Sequence, residues 1–352
     1  MRKAYLVVCL SRLKRTQFGR TQRMKQHFQQ IDILKGLAII AVLLLHSLTR
    51  EQLLKGYAVY HIWQAVPVFM VLMGVNLGMS YGSKTLHFNQ LYTPHYWQKK
   101  ALRIIFPLLL IYIIALVAGY VSEQVYQHEV YTLGWKNLIG VLPVSGKGNY
   151  FITLLLQTLI VFPIMGYTFN RWPKITTLVL VLLEVAFQLM AYRISYFEQD
   201  RYLYDAALFR YFSAIALGMW LSRLVTAPER KLGWFVLIGG LGSALYLYAH
   251  QYQGVELPYI IPEWQAQLVL TFPYAALLIY LSMLVFPLQS DQPVLQLLAS
   301  VGKASYHVFL VQVLYFGLVQ DDSDIALNLA ICLLAGQTFF WLDTYLIKKI
   351  SN

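Results

Sequence analysis

Long apolar runs dominate this sequence and constrain its fold more than any other feature. A helix that crosses the hydrocarbon core of a membrane needs about 20 mostly apolar residues, and ten runs of about this size alternate with polar, charged or Pro-containing stretches. The predicted spans are residues 33–49, 61–81, 101–121, 150–170, 174–192, 207–225, 233–251, 265–287, 301–319 and 325–346. Because backbone groups inside a membrane must be hydrogen-bonded internally, the sequence predicts an all-α polytopic membrane protein with about ten transmembrane helices.

The composition excludes an ordinary cytosolic enzyme. Of the residues, 58% are hydrophobic and 12% are charged, whereas soluble chains have about 45–50% apolar and about 25% charged residues. The two cysteines, Cys9 and Cys332, lie in a basic segment and in an apolar run, so we predict neither a disulfide framework nor a cysteine-based metal site. No metal and no bound cofactor are expected.

Basic residues indicate the orientation, because Lys and Arg collect in cytoplasmic loops. With the N-terminus in the cytoplasm, eighteen of the 28 Lys and Arg residues fall on the inner side, six on the outer side and four within spans or at their edges. This split predicts that both termini are cytoplasmic and that the protein lies in the cell (inner or plasma) membrane. It also explains the net charge of +12 without a nucleic-acid partner.

The chain divides into three segments. Residues 1–31 form a basic cytoplasmic segment, in which the apolar stretch 4–10 is too short for a span and lacks a clear cleavage site. Residues 32–347 form the membrane domain, and residues 348–352 form a cytoplasmic tail. Met24 is a second candidate start for translation, which would make the residues before it an upstream extension.

The first span is the most informative, because an ionisable group inside a membrane is costly unless it pairs or reaches water. Lys35 and His46 are eleven residues apart. At about 100° per residue they share one helix face, and the rise between them is about 16 Å. Lys35 is expected near the cytoplasmic boundary and His46 in the outer half. The two residues are either a snorkelling Lys and an interfacial His, or a functional pair.

The third span opens with more basic residues at the same edge. Lys100 and Arg103 are three residues apart and so share a helix face. With Lys35 they would form a basic ring. This ring either anchors the helices at the cytoplasmic surface or binds phosphate groups delivered from the cytoplasm.

These residues resemble the membrane acyltransferase-3 family of polytopic O-acyltransferases, which modify bacterial cell-surface glycans. The first-helix pattern carries most of the resemblance: a basic residue, ten intervening residues and a His, often preceded by an Asp, are matched by Lys35, His46 and Asp32. Further motifs that are similar cover nearly the whole chain. They are Lys100, Arg103 and Pro107; Asn149-Tyr150-Phe151-Ile152 through Gln157 to Pro163; Phe212 through Gly218; and Gly302-Lys303-Ala304-Ser305-Tyr306 through Leu310.

Two positions depart from the family pattern. Many relatives have Ser where this chain has Met73, and many have His where this chain has Gln312. Neither change affects Lys35 or His46, but the acceptor and donor preferences of relatives do not transfer directly to this chain.

The resemblance implies an O-acyltransferase that moves an acyl group, most simply acetyl, from cytoplasmic acyl-CoA to a hydroxyl of a cell-surface glycan or its lipid-linked precursor. His46 would act as a general base, since histidine titrates near neutrality, or would itself carry the acyl group as a nucleophile. Lys35, Lys100 and Arg103 would bind the phosphates of acyl-CoA as cosubstrate. The acceptor, the acyl chain and the oligomeric state stay open, and membrane lipid is the remaining expected partner.

Further candidates have weaker signals. Asn76 and Gln157 would donate to the oxyanion of a tetrahedral intermediate, or would bridge helices, as buried amides more often do. Other supporting candidates come from motif context alone: Asp32, Tyr150, Ser305 and Tyr306. Four ionisable residues inside spans are expected to pair within the bundle: Glu184, Arg210, His307 and Asp343.

Two other functions fit an apolar chain of this kind. One is a glycan exporter or transporter, although the sequence shows neither a repeat nor paired Gly- or Pro-interrupted helices. The other is a non-catalytic membrane component of glycan assembly, in which His46 would be dispensable.

Overall fold

The computed structural model describes residues 28–82, 87–127, 129–226, 230–319 and 324–351. Within these ranges the protein is helical and contains no β-strand, only an isolated bridge between Tyr131 and Val144. The all-α prediction is therefore confirmed. The predicted start at Met24 and nearly all of the N-terminal basic segment lie outside the described residues.

The α-helices of the described ranges are numbered in chain order. They are α1 Gln29–Ser47, α2 Arg50–Lys55, α3 Ala65–Tyr81, α4 Pro94–Lys100, α5 Phe106–Tyr126, α6 Tyr150–Arg171, α7 Pro173–Arg193, α8 Ser195–Gln199, α9 Arg201–Ala206, α10 Phe212–Thr226, α11 Arg230–Gln253, α12 Phe272–Val285, α13 Pro293–Lys303, α14 Ser305–Leu318 and α15 Ile325–Ser351. A π-helix, Ala101–Ile105, joins α4 to α5.

Within the described residues, fewer helices than the ten predicted are long and apolar enough to span a membrane. In the described residues, eight are long and apolar enough, and a ninth results if α13 and α14, which are bent by 66°, count as one span. The predicted eighth span, 265–287, contains only the 14 residues of α12. Proline explains this length, because Pro273 fits only the first turn of a helix and Pro287 disfavours helical backbone in the residue before it.

Residues 171–173 between the fourth and fifth predicted spans form a tight connection. Only Trp172 separates α6 from α7, and Pro173 is the first residue of α7. Proline is favoured at this position because its fixed φ suits a helix start and its missing N–H would have no helical partner.

Glycines allow two pairs of helices to cross with their backbones in contact. A Cβ added to Gly302 of α13 would lie 1.7 Å from the carbonyl oxygen of Asp32 in α1, and one added to Gly36 would lie 2.2 Å from that of Leu298. Gly74 of α3 meets the backbone of α10 in the same way. Small residues let membrane helices approach closely, so these crossings fix α1 against α13 and α3 against α10.

The first and last helices define two ends of the bundle. At the His46 end, α15 begins beside the end of α1, where the Asn328 amide donates to the Ser47 hydroxyl at 3.2 Å. At the opposite end, which we call the Lys35 end, the Ser290 N–H before α13 donates to the Gln29 side chain at 2.6 Å. Both the start of α1 and the end of α15 therefore lie at the Lys35 end. That this end faces the cytoplasm stays a prediction.

Candidate functional site

His46 lies in the last turn of α1 and is half-buried. Its ring packs edge-to-face against Phe316 of α14, with 6.0 Å between ring centroids. The Lys147 ammonium donates to the His46 backbone carbonyl at 3.0 Å and lies 5.8 Å from the Phe316 ring centroid. A cation at this position complements the negative end of the α1 dipole, so Lys147 helps to fix the end of α1 that presents His46.

The loop of residues 144–149, called here the 144–149 loop, contacts both this end of α1 and α14. The Gly146 N–H donates to the Val313 carbonyl at 2.8 Å. The Gln312 amide donates to the Lys147 carbonyl at 2.9 Å. Two hydrogen bonds between this loop and α14 thus position the loop, which leads directly into α6.

Gly148 brings the backbone of this loop against the His46 ring. Its φ of +86° lies in the left-handed region that favours glycine. A Cβ at Gly148 would lie 3.2 Å from His46 Nε2 and 3.4 Å from Gln312 Nε2. The loop backbone at Gly148 therefore packs closely against His46 and Gln312, and a side chain at this position would be in tight contact with His46.

The basic residues gather at the other end of α1. The Lys35 ammonium lies 3.3 Å from an Asp32 carboxylate oxygen, and Arg103 is close enough for its charge to act on Lys35. Lys100 interacts electrostatically with Arg103 and lies 5.7 Å from the Tyr96 ring centroid. The structure therefore brings Asp32, Lys35, Lys100 and Arg103 together, as the basic-ring prediction required.

The π-helix Ala101–Ile105 carries Arg103 and lies against α14. The Tyr306 hydroxyl donates to the Ile104 carbonyl at 3.0 Å. Single-turn π-helices are rare and occur often at functional sites. Tyr306 thus supports the backbone that presents Arg103. Its neighbour Ser305 is the first residue of α14 and is half-buried.

The structure keeps the two candidate groups apart. Lys35 and His46 belong to one uninterrupted helix, and eleven residues of helix separate them by a rise of about 16 Å. The arrangement can therefore hold the two ends of an extended ligand, but it does not allow Lys35 and His46 to act on the same atom.

The two amides proposed as oxyanion donors lie elsewhere. The Gln157 amide nitrogen donates to the Ala206 carbonyl at 2.6 Å, and its oxygen accepts from the Leu208 N–H at 3.1 Å. This favours the helix-bridging interpretation of Gln157. Asn76 is half-buried in α3, and no contact found in the described residues joins it to His46.

Tyr150 belongs to a buried polar network beside the start of α6. Its hydroxyl is hydrogen-bonded to Tyr211. Arg210, which is 4% exposed, pairs with Asp205 and lies 4.4 Å from the Tyr204 ring centroid. The predicted pairing of Arg210 within the bundle is confirmed, and Tyr150 is tied to that network.

The other intramembrane ionisable residues also find partners inside the bundle. A Glu184 carboxylate oxygen accepts from the Ser213 N–H at 2.7 Å. His307 Nε2 and an Asp343 carboxylate oxygen are 2.9 Å apart, both side chains being buried. In the described part of the chain, no group of three or more His, Cys, Asp or Glu side chains could hold a metal ion.

Sequence reasoning did not predict that Lys147, Gly148 and Gln312 would meet His46. Gln312 attracted notice only as a departure from the family pattern. A signal was present in Gly146-Lys147-Gly148, a basic residue between two glycines just before an aromatic helix start, since glycines mark places where backbone approaches closely.

Comparison with known proteins identifies the family. No curated protein and no solved structure matches the chain. A family model described as an acyltransferase domain, that of the acyltransferase-3 family, matches residues 28–343, which is essentially the whole described chain. The apolar helices and this match together show that the chain is a multi-pass membrane protein that belongs to the acyltransferase-3 family.

Proposed function

We propose that the protein is an O-acyltransferase of the cell (inner or plasma) membrane that moves an acyl group, most simply acetyl, from cytoplasmic acyl-CoA to a hydroxyl of a cell-surface glycan or its lipid-linked precursor. The observation that carries this proposal is the placement of His46 and a basic cluster at opposite ends of α1, in a chain of an acyltransferase family. No bound cofactor is required.

The basic cluster is suited to the phosphates of the donor. Lys35, Lys100 and Arg103 present three positive charges at one end of the bundle, with one carboxylate, Asp32, holding Lys35 in place. Phosphate binding by Arg and Lys relies on such charge-assisted hydrogen bonds. The pantetheine arm of acyl-CoA is comparable in length to the rise of about 16 Å that separates Lys35 from His46. The thioester would therefore reach His46 while the nucleotide stays at the Lys35 end.

His46 supplies the proton transfer in this scheme. The acceptor hydroxyl oxygen bonds to the thioester carbonyl carbon, the carbonyl electron pair moves to its oxygen, and the hydroxyl proton passes to His46. The tetrahedral adduct then collapses: the carbon–sulfur bond breaks, and the proton on His46 passes to the sulfur. In the other version, a His46 ring nitrogen attacks the thioester carbonyl carbon and the carbon–sulfur bond breaks, so that CoA leaves as the thiolate. The acceptor hydroxyl then attacks the acyl-histidine, its proton passes to the thiolate, and His46 is released.

The test compares surface glycans by mass spectrometry from cells that carry wild-type protein, His46→Ala, His61→Ala or no protein, at equal membrane levels. His61 is a matched control, because it is an exposed histidine whose ring, among the described residues, hydrogen-bonds only to the Gly56 carbonyl, at 2.9 Å. We expect an acyl mass increment with wild type and His61→Ala, and none with His46→Ala. Equal acylation with His46→Ala would reject the catalytic assignment. Loss of glycan export on deletion alone would then favour a transporter or a non-catalytic component.

A further inference from the structure

The backbone N–H groups at the start of α6 point to a function for the 144–149 loop. Within the described residues, none of the N–H groups of residues 147–150 donates to another protein group. They lie at the start of a 22-residue helix whose N-cap, Asn149, makes no side-chain capping bond. Successive free N–H groups next to a left-handed residue form concave anion sites, and the helix dipole adds positive potential there.

Gln312 gives independent evidence that a ligand binds here. The side chain is 0% exposed, and its Oε1 has no hydrogen-bond partner within the described residues. A buried carbonyl oxygen without a donor costs about 1–3 kcal/mol. Its Nε2 donates to the Lys147 carbonyl and lies 3.4 Å from the point where a Gly148 Cβ would be, so this amide lies against the loop beside His46. The unpartnered oxygen therefore suits a hydroxyl hydrogen of a bound acceptor.

We propose that the backbone N–H groups of residues 147–150 bind the oxyanion of the tetrahedral adduct, and that Gln312 positions this loop and accepts a hydrogen bond from a second hydroxyl of the acceptor. The inference rests on the proposed acyl transfer at His46. Three requirements of that reaction then meet in one place: a base in His46 Nε2, donors for the developing negative charge, and a hydrogen-bond acceptor that orients the bound acceptor molecule. Lys147, which holds the end of α1, adds a positive charge beside the oxyanion.

Asn149 allows one of these N–H groups to be removed with little change of backbone. Its φ of −54° matches the value of about −65° that proline imposes. Gly148, at φ +86°, is outside the right-handed α region that a following proline disfavours. Asn149→Pro therefore deletes the N–H, and it also deletes the side-chain bond to the Ser145 hydroxyl at 2.9 Å. Asn149→Ala deletes only that side-chain bond, so it is the matched control.

The experiment measures acetyl transfer to endogenous acceptor in membrane vesicles at saturating acetyl-CoA, together with CoA binding by the purified protein. We expect Asn149→Pro to transfer acetyl about 10²–10³-fold more slowly than Asn149→Ala, the loss typical for one oxyanion donor, with equal affinity for CoA. Equal rates for the two variants would overturn the assignment of the loop. If Asn149→Pro fails to accumulate, the backbone ester at position 149 removes the same N–H without a ring, and the same comparison applies.

The controls separate this inference from the function on which it rests. If wild type shows no His46-dependent acetyl transfer, the proposed function itself fails. If wild type is active, His46→Ala is inactive, and the Pro and Ala variants are equal, only the oxyanion assignment fails.

Discussion

The contact between His307 and Asp343 shows how residue chemistry is constrained inside this bundle. The two residues are 6% and 4% exposed, and His307 Nδ1 and the second Asp343 oxygen have no protein partner within the described residues. Phe339 and Phe340 pack edge-to-face on the His307 ring. Each member of the pair therefore depends on the other, since this contact is the one side-chain hydrogen bond found for either within the described residues.

This dependence predicts non-additive losses of stability. Asp343→Leu or His307→Leu leaves a buried polar partner unsatisfied and is expected to lower the unfolding free energy by about 3–5 kcal/mol. Asp343→Asn keeps an acceptor for the His307 N–H and should lose much less. The double Leu variant should be no less stable than the worse single variant. Thermal unfolding in detergent compares the stability of all four variants with that of wild type. Additive losses in the double variant would show that the two residues are not coupled.

At the His46 end, residue spacing explains what could be predicted from sequence. The shared face of Lys35 and His46 depends only on helix periodicity, which is local. The hydrogen bond from Gln312 to the Lys147 carbonyl joins residues 165 positions apart. No local pattern gives such a contact, because it depends on how α14 packs against the 144–149 loop.

At the scale of elements, the crossing of α1 and α13 positions the basic cluster. The Asp32 carbonyl oxygen lies against Gly302, and the Asp32 side chain pairs with Lys35. Asp32 therefore belongs both to the contact between the two helices and to the proposed donor site. The glycines were visible in the sequence, but which helix each one meets was not, because small residues mark close approach without naming the partner.

Gly302→Ala is expected to destabilise this crossing. The new Cβ would lie 1.7 Å from the Asp32 carbonyl oxygen, so two backbones must separate, and overpacking of this kind costs about 1–3 kcal/mol or more. Gly242→Ala in α11 is the matched control, because a Cβ there meets nothing within 4 Å. It should be neutral, or stabilising by up to about 1 kcal/mol through helix propensity. Melting temperatures of the two purified variants test this, and equal shifts would contradict it.

Element boundaries were less predictable than element existence. Each of the ten predicted spans has a helical counterpart, yet α12 is short and the ninth span is replaced by the bent pair α13 and α14. Hydropathy counts apolar residues without distinguishing a helix from an irregular apolar segment. Before α12 the chain is instead held by Thr271, whose hydroxyl accepts from the Leu268 N–H at 2.9 Å.

For the whole molecule, exposed apolar side chains on the outer helices are consistent with a lipid-facing surface. Phe235 and Leu245 of α11 and Leu334 of α15 are 74%, 73% and 70% exposed, and such a surface is unfavourable in water. The proposed reaction requires that the Lys35 end and the His46 end face different compartments. The donor phosphates must meet the Lys35 end, and the acceptor must meet the His46 end.

This requirement predicts the labelling of two engineered cysteines. Glu51 is exposed next to the His46 end, and Asp291 is exposed beside Ser290 at the Lys35 end. In a background that lacks Cys9 and Cys332, Glu51→Cys should react with a membrane-impermeant maleimide in intact cells. Asp291→Cys should react only after the membrane is permeabilised, because positive-inside topology places its loop in the cytoplasm. The reverse pattern would place the basic cluster outside, where cytoplasmic acyl-CoA has no access, and would refute the proposed donor while leaving the family assignment intact.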